Sequence, residues 1–261
     1  MRRTFPHVAL LPLPEHGAID VLIAGCGTGQ QVVEAAMRFP EARITAFDLS
    51  LASLAYAQRQ AEDAKHGGIQ FFQGDVLALG SMAQQFDLIL CTGVLVLMEH
   101  PFSVWRLLID RLRPGGILQL AFYSQTARRP LAAAQAHAAA MGGLGTTLAV
   151  RHLREQLLLN NAGGEFDTVL NVQDFYSVSG CRDMLSAARE NQFTLPQIRD
   201  FLRSSDLEFL GFQLPPAILE DYRRRNPQDP AAVDLSAWQT YEEENPATFI
   251  CMYQFFMQRR A

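Results

Sequence analysis

Residues 20–30 read Asp-Val-Leu-Ile-Ala-Gly-Cys-Gly-Thr-Gly-Gln, an apolar run that ends in three glycines at alternate positions. A continuous apolar run of this length predicts a strand covered on both faces, as in a parallel sheet. Gly25, Gly27 and Gly29 predict a tight turn with positive φ, followed by a helix whose apolar face is Val32, Val33, Ala36 and Met37. A helix that starts at such a loop offers unpaired N–H groups to an anion, and bare glycine backbone lets a ligand approach closely. Taken alone, the pattern also describes a plain glycine turn.

Outward from that loop, β-like runs at 42–48, 69–74, 86–91 and 116–123 alternate with helical periodicity. This is the grammar of βαβ units on a parallel sheet. Ser50 reads as the N-cap of a helix with Leu54, Ala57 and Ala61 on one face. Val104, Leu107, Leu108 and Leu112 repeat that spacing before the turn at Arg113-Pro114-Gly115-Gly116. After Ser124 the rhythm changes to two helical stretches, 127–141 and 147–159, separated by Gly142, Gly143 and Gly145. An irregular segment carrying Asp174-Phe175-Tyr176-Ser177 follows. A helix (195–203), a strand (207–212), a helical excursion ending in Arg223 to Arg225 and a last strand (248–256) complete the chain. The expectation is an α/β fold with a Rossmann-like sheet, helices on both faces and one domain over 1–261. Within it, 1–18 is a lead-in and 125–194 a helical cap inserted after the fifth strand.

Three further signals stand at the C-terminal ends of successive strands. Asp48, with Leu49 after it, lies 19 residues beyond Gly29, the distance at which an acidic residue accepts the ribose hydroxyls of an adenosine ligand. Singly, it reads equally as the N-terminal charge of the next helix. Gly74-Asp75-Val76 offers a carboxylate for an adenine amino group and an apolar cover for the ring, or simply a strand-to-helix cap. Thr92-Gly93-Val94 brings backbone toward the reactive end of such a ligand, or is a turn. Together with the glycine loop, including Cys26 and Gln30, the four face the crevice where open α/β sheets bind ligands.

The chain at this point resembles the class I S-adenosylmethionine-dependent methyltransferases. The likeness is carried by residues 20–30, 44–50, 74–76, 86–95 and 112–118. It looks closest to bacterial methyltransferases linked to tetratricopeptide repeats, through the sequences at 173–177, 193–198, 210–214 and 244–255. The resemblance implies S-adenosylmethionine as cofactor and S-adenosylhomocysteine as product. Gly25, Gly27 and Gly29 would hold the methionine moiety, Asp48 the ribose, Asp75 and Val76 the adenine, and Thr92 to Val94 the side nearest the sulfonium. It also implies a seven-stranded sheet whose last strand runs antiparallel. Two departures stand out. The acidic residue usual two positions before the first glycine is Ile23 here, and histidines usual after the fourth-strand motif are replaced by Val96 and Leu97.

On the acceptor side, Tyr123 and Tyr176 are candidate catalytic residues, and Asp174 and Phe175 candidate substrate residues. An acidic group beside aromatics suits an amine or cation, while Phe175 and Tyr176 also read as docking residues of the cap. Glu99 and His100 read as a base, or as a helix-capping or solvated pair. Arg128, Arg129, Arg151 and Arg154 read as a solvated helix face or an attractor of acidic substrates. A nicotinamide oxidoreductase would want GxGxxG, whereas the third glycine comes one position early. A module that binds the cofactor without turnover remains an alternative.

The formal net charge of −5 disfavours nucleic acid and anionic membrane as partners. The expected partner is a small-molecule or peptide substrate; dimerisation through the cap is left undecided. Cys26, Cys91, Cys181 and Cys251 are far apart, with neither metal-ligand spacing nor a disulfide pattern, which suits the cytoplasm. Prolines interrupt the short apolar lead-in, so no signal peptide is expected.

Overall fold

The computed structural model describes residues 5–11, 17–64, 67–162, 164, 166–186 and 190–260. Parts of the expected lead-in (1–4 and 12–16) and of the expected cap (163, 165 and 187–189) lie outside the described residues. The chain forms two compact units, one of 1–122, 195–238 and 253–261, the other of 123–194 and 239–252.

In the first unit, β1 (Asp20–Ala24), β2 (Arg43–Asp48), β3 (Ile69–Gln73), β4 (Phe86–Thr92) and β5 (Leu112–Ser124) pair in parallel. Helices α1 (Gln30–Arg38), α2 (Leu51–Asp63) and α3 (Pro101–Asp110) alternate with them. Every residue of β1 is buried, as its unbroken apolar run requires. Ile23, its next-to-last residue, pairs with Ala46 of β2 and Leu90 of β4. Strand order reverses around β1, the arrangement in which right-handed crossovers carry connecting helices to opposite faces of a sheet. The crevice at this reversal lies between the loops that follow β1 and β4.

Local chemistry accounts for the helices. The Ser50 hydroxyl accepts from Ser53 N at 3.2 Å and caps α2, whose buried face is Leu54, Ala57 and Ala61, as read from the sequence. On α1 the buried face is Val32, Ala35 and Ala36; Met37, expected inside, is 69% exposed. The sequence reading placed that face one position off, because a nine-residue helix contains only two or three core positions. Leu112, expected on α3, instead opens β5. The strand then breaks register with β4 between Phe86 and Leu88 at the Pro114-Gly115-Gly116 turn.

The second unit contains α4 (Gln125–Arg128), α5 (Leu131–Ala140), α6 (Thr147–Leu159), α7 (Asp167–Leu170), a 3-10 turn (Gln173–Tyr176), α8 (Val178–Leu185) and the short β6 (Gln192–Phe193). Pro130 divides the helix expected over 127–141. Its core gathers Leu131, Val150, Leu153, Leu157, Phe175, Cys181 and Leu185. The end of β5 pairs with β6 through Tyr123 and Ser124.

The chain continues through α9 (Leu195–Arg203), β7 (Leu207–Phe212), α10 (Pro216–Arg225), α11 (Leu235–Glu244) and β8 (Tyr253–Arg259). β8 inserts antiparallel between β5 and β7, which completes the order β3-β2-β1-β4-β5-β8-β7. The antiparallel last strand is therefore present, but it begins at Tyr253, because Pro246–Phe249 forms a 3-10 turn where the strand was expected to start. Among the described residues no helix is long and apolar enough to cross a membrane.

Candidate functional site

Gly25, Gly27 and Gly29 have φ of 74°, 52° and 94°, all in the left-handed region. The three differ in what surrounds them. A Cβ on Gly25 would run into Val94 Cγ2, and one on Gly29 would lie 2.7 Å from Ala57 Cβ and 2.8 Å from Ala57 Cα. A Cβ on Gly27 would meet nothing within 4 Å, and the same is true of Gly93 after β4. Gly25 and Gly29 thus serve close packing, while Gly27 and Gly93 present bare backbone to open space.

The loop is held by the end of β2. Gly25 N and Cys26 N both donate to Phe47 O, at 2.7 and 3.0 Å. Asp48 receives Gly27 N on Oδ2 and Ser50 N on Oδ1, each at 2.8 Å. A carboxylate has about four acceptor positions, so about two stay available for hydroxyl donors. Asp48 thus orders the entry to α2 and is tied to the glycine loop. Asp75 is exposed, and one of its oxygens accepts from Leu77 N at 2.9 Å, which caps the turn Val76–Ser81. Gly74 lies against the Phe47 ring, Val76 is buried and Leu49 is 69% exposed. Thr92 Oγ1 accepts from Gln31 Nε2 at 2.9 Å, linking β4 to α1.

A cavity of about 560 Å³ opens at this point, lined by Gly25 to Thr28, Gln31 and Thr92 and continuing to Gln119, Gln254 and Phe256. Asp48 and Asp75 are not part of its lining. The amide side chains were not singled out by sequence, since β5 and β8 read as apolar strands and only alternation hints at Gln119 and Gln254. Ile23 is fully buried, so β1 supplies no acidic group here. Gln30 also lines the cavity, and its side chain donates to Glu34.

The thiolate form is disfavoured at Cys26 and Cys91. Burial, with Asp48 nearby, pushes Cys26 up to about 11, and burial pushes Cys91 up to about 12. Val96 is buried and Leu97 is 63% exposed. Glu99 and His100 are exposed; His100 occupies the N-cap of α3 without a side-chain bond to the helix, so the capping role read for it is not made.

The acceptor-side candidates belong to the second unit. Tyr123 stacks under Arg128, whose guanidinium carbon is 3.6 Å from the ring centre. Burial, with Glu190 next, raises the Tyr123 phenol above its ordinary value. Asp174 lines a cavity together with Tyr123, but Phe175 is fully buried in the unit's core and Tyr176 is 58% exposed. Phe175 therefore docks its turn and has no face left for a substrate. Arg128, read as part of a solvated helix face, is 6% exposed and ion-paired with Glu190 at 2.6 Å.

A family model described as a methyltransferase domain matches residues 21–116, the segment that holds the glycine loop, Asp48, Asp75 and Thr92 to Val94. Residues 21–116 therefore carry a methyltransferase domain. It is 30% identical over 207 residues to an uncharacterized protein of Synechococcus, covering 76% of this chain and 49% of that one. Over 107 residues it is 38% identical to the trans-aconitate 2-methyltransferase of Deinococcus radiodurans, covering 41% of this chain and 38% of the relative. The chain thus spans about half or less of the length of these relatives. The structure of PKMT2 from Rickettsia typhi shares the fold, with a TM-score of 0.75 at 17% identity, over 99% of this chain and 51% of that one. A second PKMT2 structure, in complex with AdoHcy, has a TM-score of 0.67 at 17% identity, over 99% of this chain and 52% of that one.

Proposed function

We propose that the chain binds S-adenosylmethionine in the β1–β4 crevice and transfers its methyl group to an oxygen or nitrogen nucleophile of a small molecule or peptide. The observation that carries this reading is the pairing of Gly27, open in front and at positive φ, with Asp48, whose carboxylate is fixed to it at 2.8 Å. On this reading Asp48 takes the ribose hydroxyls, Asp75 and Val76 the adenine, and Gly27 and Gly93 admit the ligand to the backbone. Gln31, anchored to Thr92 and lining the cavity beside the glycine loop, supplies through its carbonyl oxygen the acceptor that Ile23 does not.

The cofactor brings a methyl group on a cationic sulfur, so the leaving group is activated before the acceptor arrives. What the protein then adds is alignment, which can account for about 7–11 kcal/mol of the barrier. A base is needed only for a nucleophile that must lose its proton early.

Calorimetry with S-adenosylmethionine and S-adenosylhomocysteine tests the reading. Wild type is expected to bind both, and Asp48→Ala to weaken them about tenfold to a hundredfold, the loss of one or two charge-assisted bonds. Absence of binding by wild type above millimolar affinity would falsify it. Transfer of radiolabelled methyl into a metabolite or protein extract separates a catalyst from a module that only binds the cofactor.

A further inference from the structure

Helix α6 (Thr147–Leu159) carries two apolar faces, and the second unit uses one of them. Val150, Leu153 and Leu157 are fully buried in the core of that unit. On the outward side Leu148, Leu158 and Leu159 are each more than half exposed, with the exposed Arg151 and Glu155 between them. A surface cavity of about 350 Å³ lies on the same face, lined by Arg151, Arg154, Glu155, Leu158 and Leu159. One exposed leucine needs no explanation, but three on the outer side of a single helix mark an interaction surface.

The order of side chains identifies the occupant. Leu148, Arg151, Glu155 and Leu158 stand three, four and three residues apart, the a and d spacing of a two-stranded coiled coil. Read backwards, the stripe keeps its spacing and exchanges its two charges. Two copies laid antiparallel about a two-fold axis therefore set Leu148 opposite Leu158 of the second copy and Arg151 opposite Glu155 of the second copy, each contact occurring twice. Laid parallel, they would set each charge against its like, which is costly. Both charged groups are available: Arg151 and Glu155 make no hydrogen bond or ion pair among the described residues, and a base one turn before an acid is the weaker order for pairing within a helix. Arg154 leans instead on the rings of Phe175 and Tyr176, 5.5 and 6.0 Å from their centres.

We infer that a second copy of this chain docks here, α6 against α6 and antiparallel, covering the exposed leucines and closing two Arg151–Glu155 ion pairs between the copies. The seam is short, so the dimer belongs to the weak class that buries less than about 1,200 Å², with dissociation in the micromolar range. Pairing needs neither cofactor nor methyl transfer, so its test leaves that reading untouched. Sedimentation equilibrium of the full chain from about 1 μM to about 1 mM is expected to show wild type passing from monomer to dimer. Arg151→Glu and Glu155→Arg, singly, set like charges opposite each other and are expected to weaken the dimer at least about tenfold. The double variant restores opposite charges in reversed order and is expected to recover wild-type association, and an equal mixture of the two single variants to form mixed dimers. Both positions are exposed, so every variant is expected to keep the wild-type unfolding transition. Wild type that stays monomeric throughout, single variants that dimerise as wild type does, or a double variant as weak as the single ones would each overturn the inference.

Discussion

Two glycines two residues apart, Gly27 and Gly29, respond differently to one added methyl group. In Gly29→Ala the new Cβ runs into the backbone of α2 at Ala57 Cα, and the φ of 94° strains any L side chain. Overpacking of about 1–3 kcal/mol adds to left-handed strain of about 1–2 kcal/mol, so chemical denaturation should register a loss of several kcal/mol. In Gly27→Ala only the strain applies, and a loss of about 1–2 kcal/mol is expected. The methyl group there occupies the space offered to the ligand, so cofactor affinity should fall by more than the stability change accounts for. Wild-type affinity in Gly27→Ala, measured on folded protein, would remove the loop from the binding site. Spacing in the sequence makes the three glycines equivalent. Their difference is set by Ala57 and Val94, which the fold alone brings against them.

At the scale of elements, the parallel core was legible because β1, β2 and β3 are short apolar runs that end at Gly25, Asp48 and Gly74, and β4 runs into Gly93. Helix α9 was equally legible, since Leu195, Ile198, Phe201 and Leu202 recur at helical spacing and all are buried. Helix α8 was not. Its first turn contains Gly180, which lowers any helical pattern, yet a Cβ there would lie 2.8 Å from Asp174 O, so the close approach of the preceding turn demands glycine. Helix α11 was hidden by its acidic end; it is anchored by Trp238, whose indole donates to Ala232 O at 2.9 Å and stacks on Tyr222 at 3.7 Å. The packing of α9 gives a prediction at this scale. Phe201 stacks on Trp105 of α3 at 4.1 Å and on Phe102 at 5.3 Å. Phe201→Ala removes the ring that joins the two helices and should cost about 3–5 kcal/mol in equilibrium denaturation. Phe201→Leu should recover more than half of that, because it restores most of the volume; equal losses in both would show that the stacking geometry, not the filled space, holds α9.

Over the whole molecule, the candidate cofactor groups stand at the C-terminal ends of the strands, whereas a charge network ties the N-terminal ends together. Asp20 at the start of β1 accepts from Arg43 at 2.6 Å and from Arg113 at 2.8 Å, and Arg113 also reaches Asp87 at 2.7 Å. This lattice was invisible in the sequence, where Arg113 reads only as part of a turn. So was the recruitment of 239–252 to the second unit, because no change of composition marks it. Hydrogen bonding to Arg43, opposed by burial and helped by Arg113, holds the Asp20 carboxyl below its ordinary value of 3.8. A carboxyl depressed by folding stabilises the protein above its unfolded value, and that contribution disappears as pH falls through the lower folded value. Wild type should therefore lose stability as pH drops below about 4. Asp20→Asn should be less stable at neutral pH by about 1–3 kcal/mol, the range for losing charge-assisted bonds, because Arg43 is exposed and Arg113 keeps Asp87. The variant should also show a flatter decline on acidification, since the proton that wild type takes up on unfolding at Asp20 is no longer part of the balance. Denaturation curves of both proteins across the acidic range decide the matter: parallel declines would assign the acid sensitivity to other carboxylates and leave Asp20 with a packing role alone.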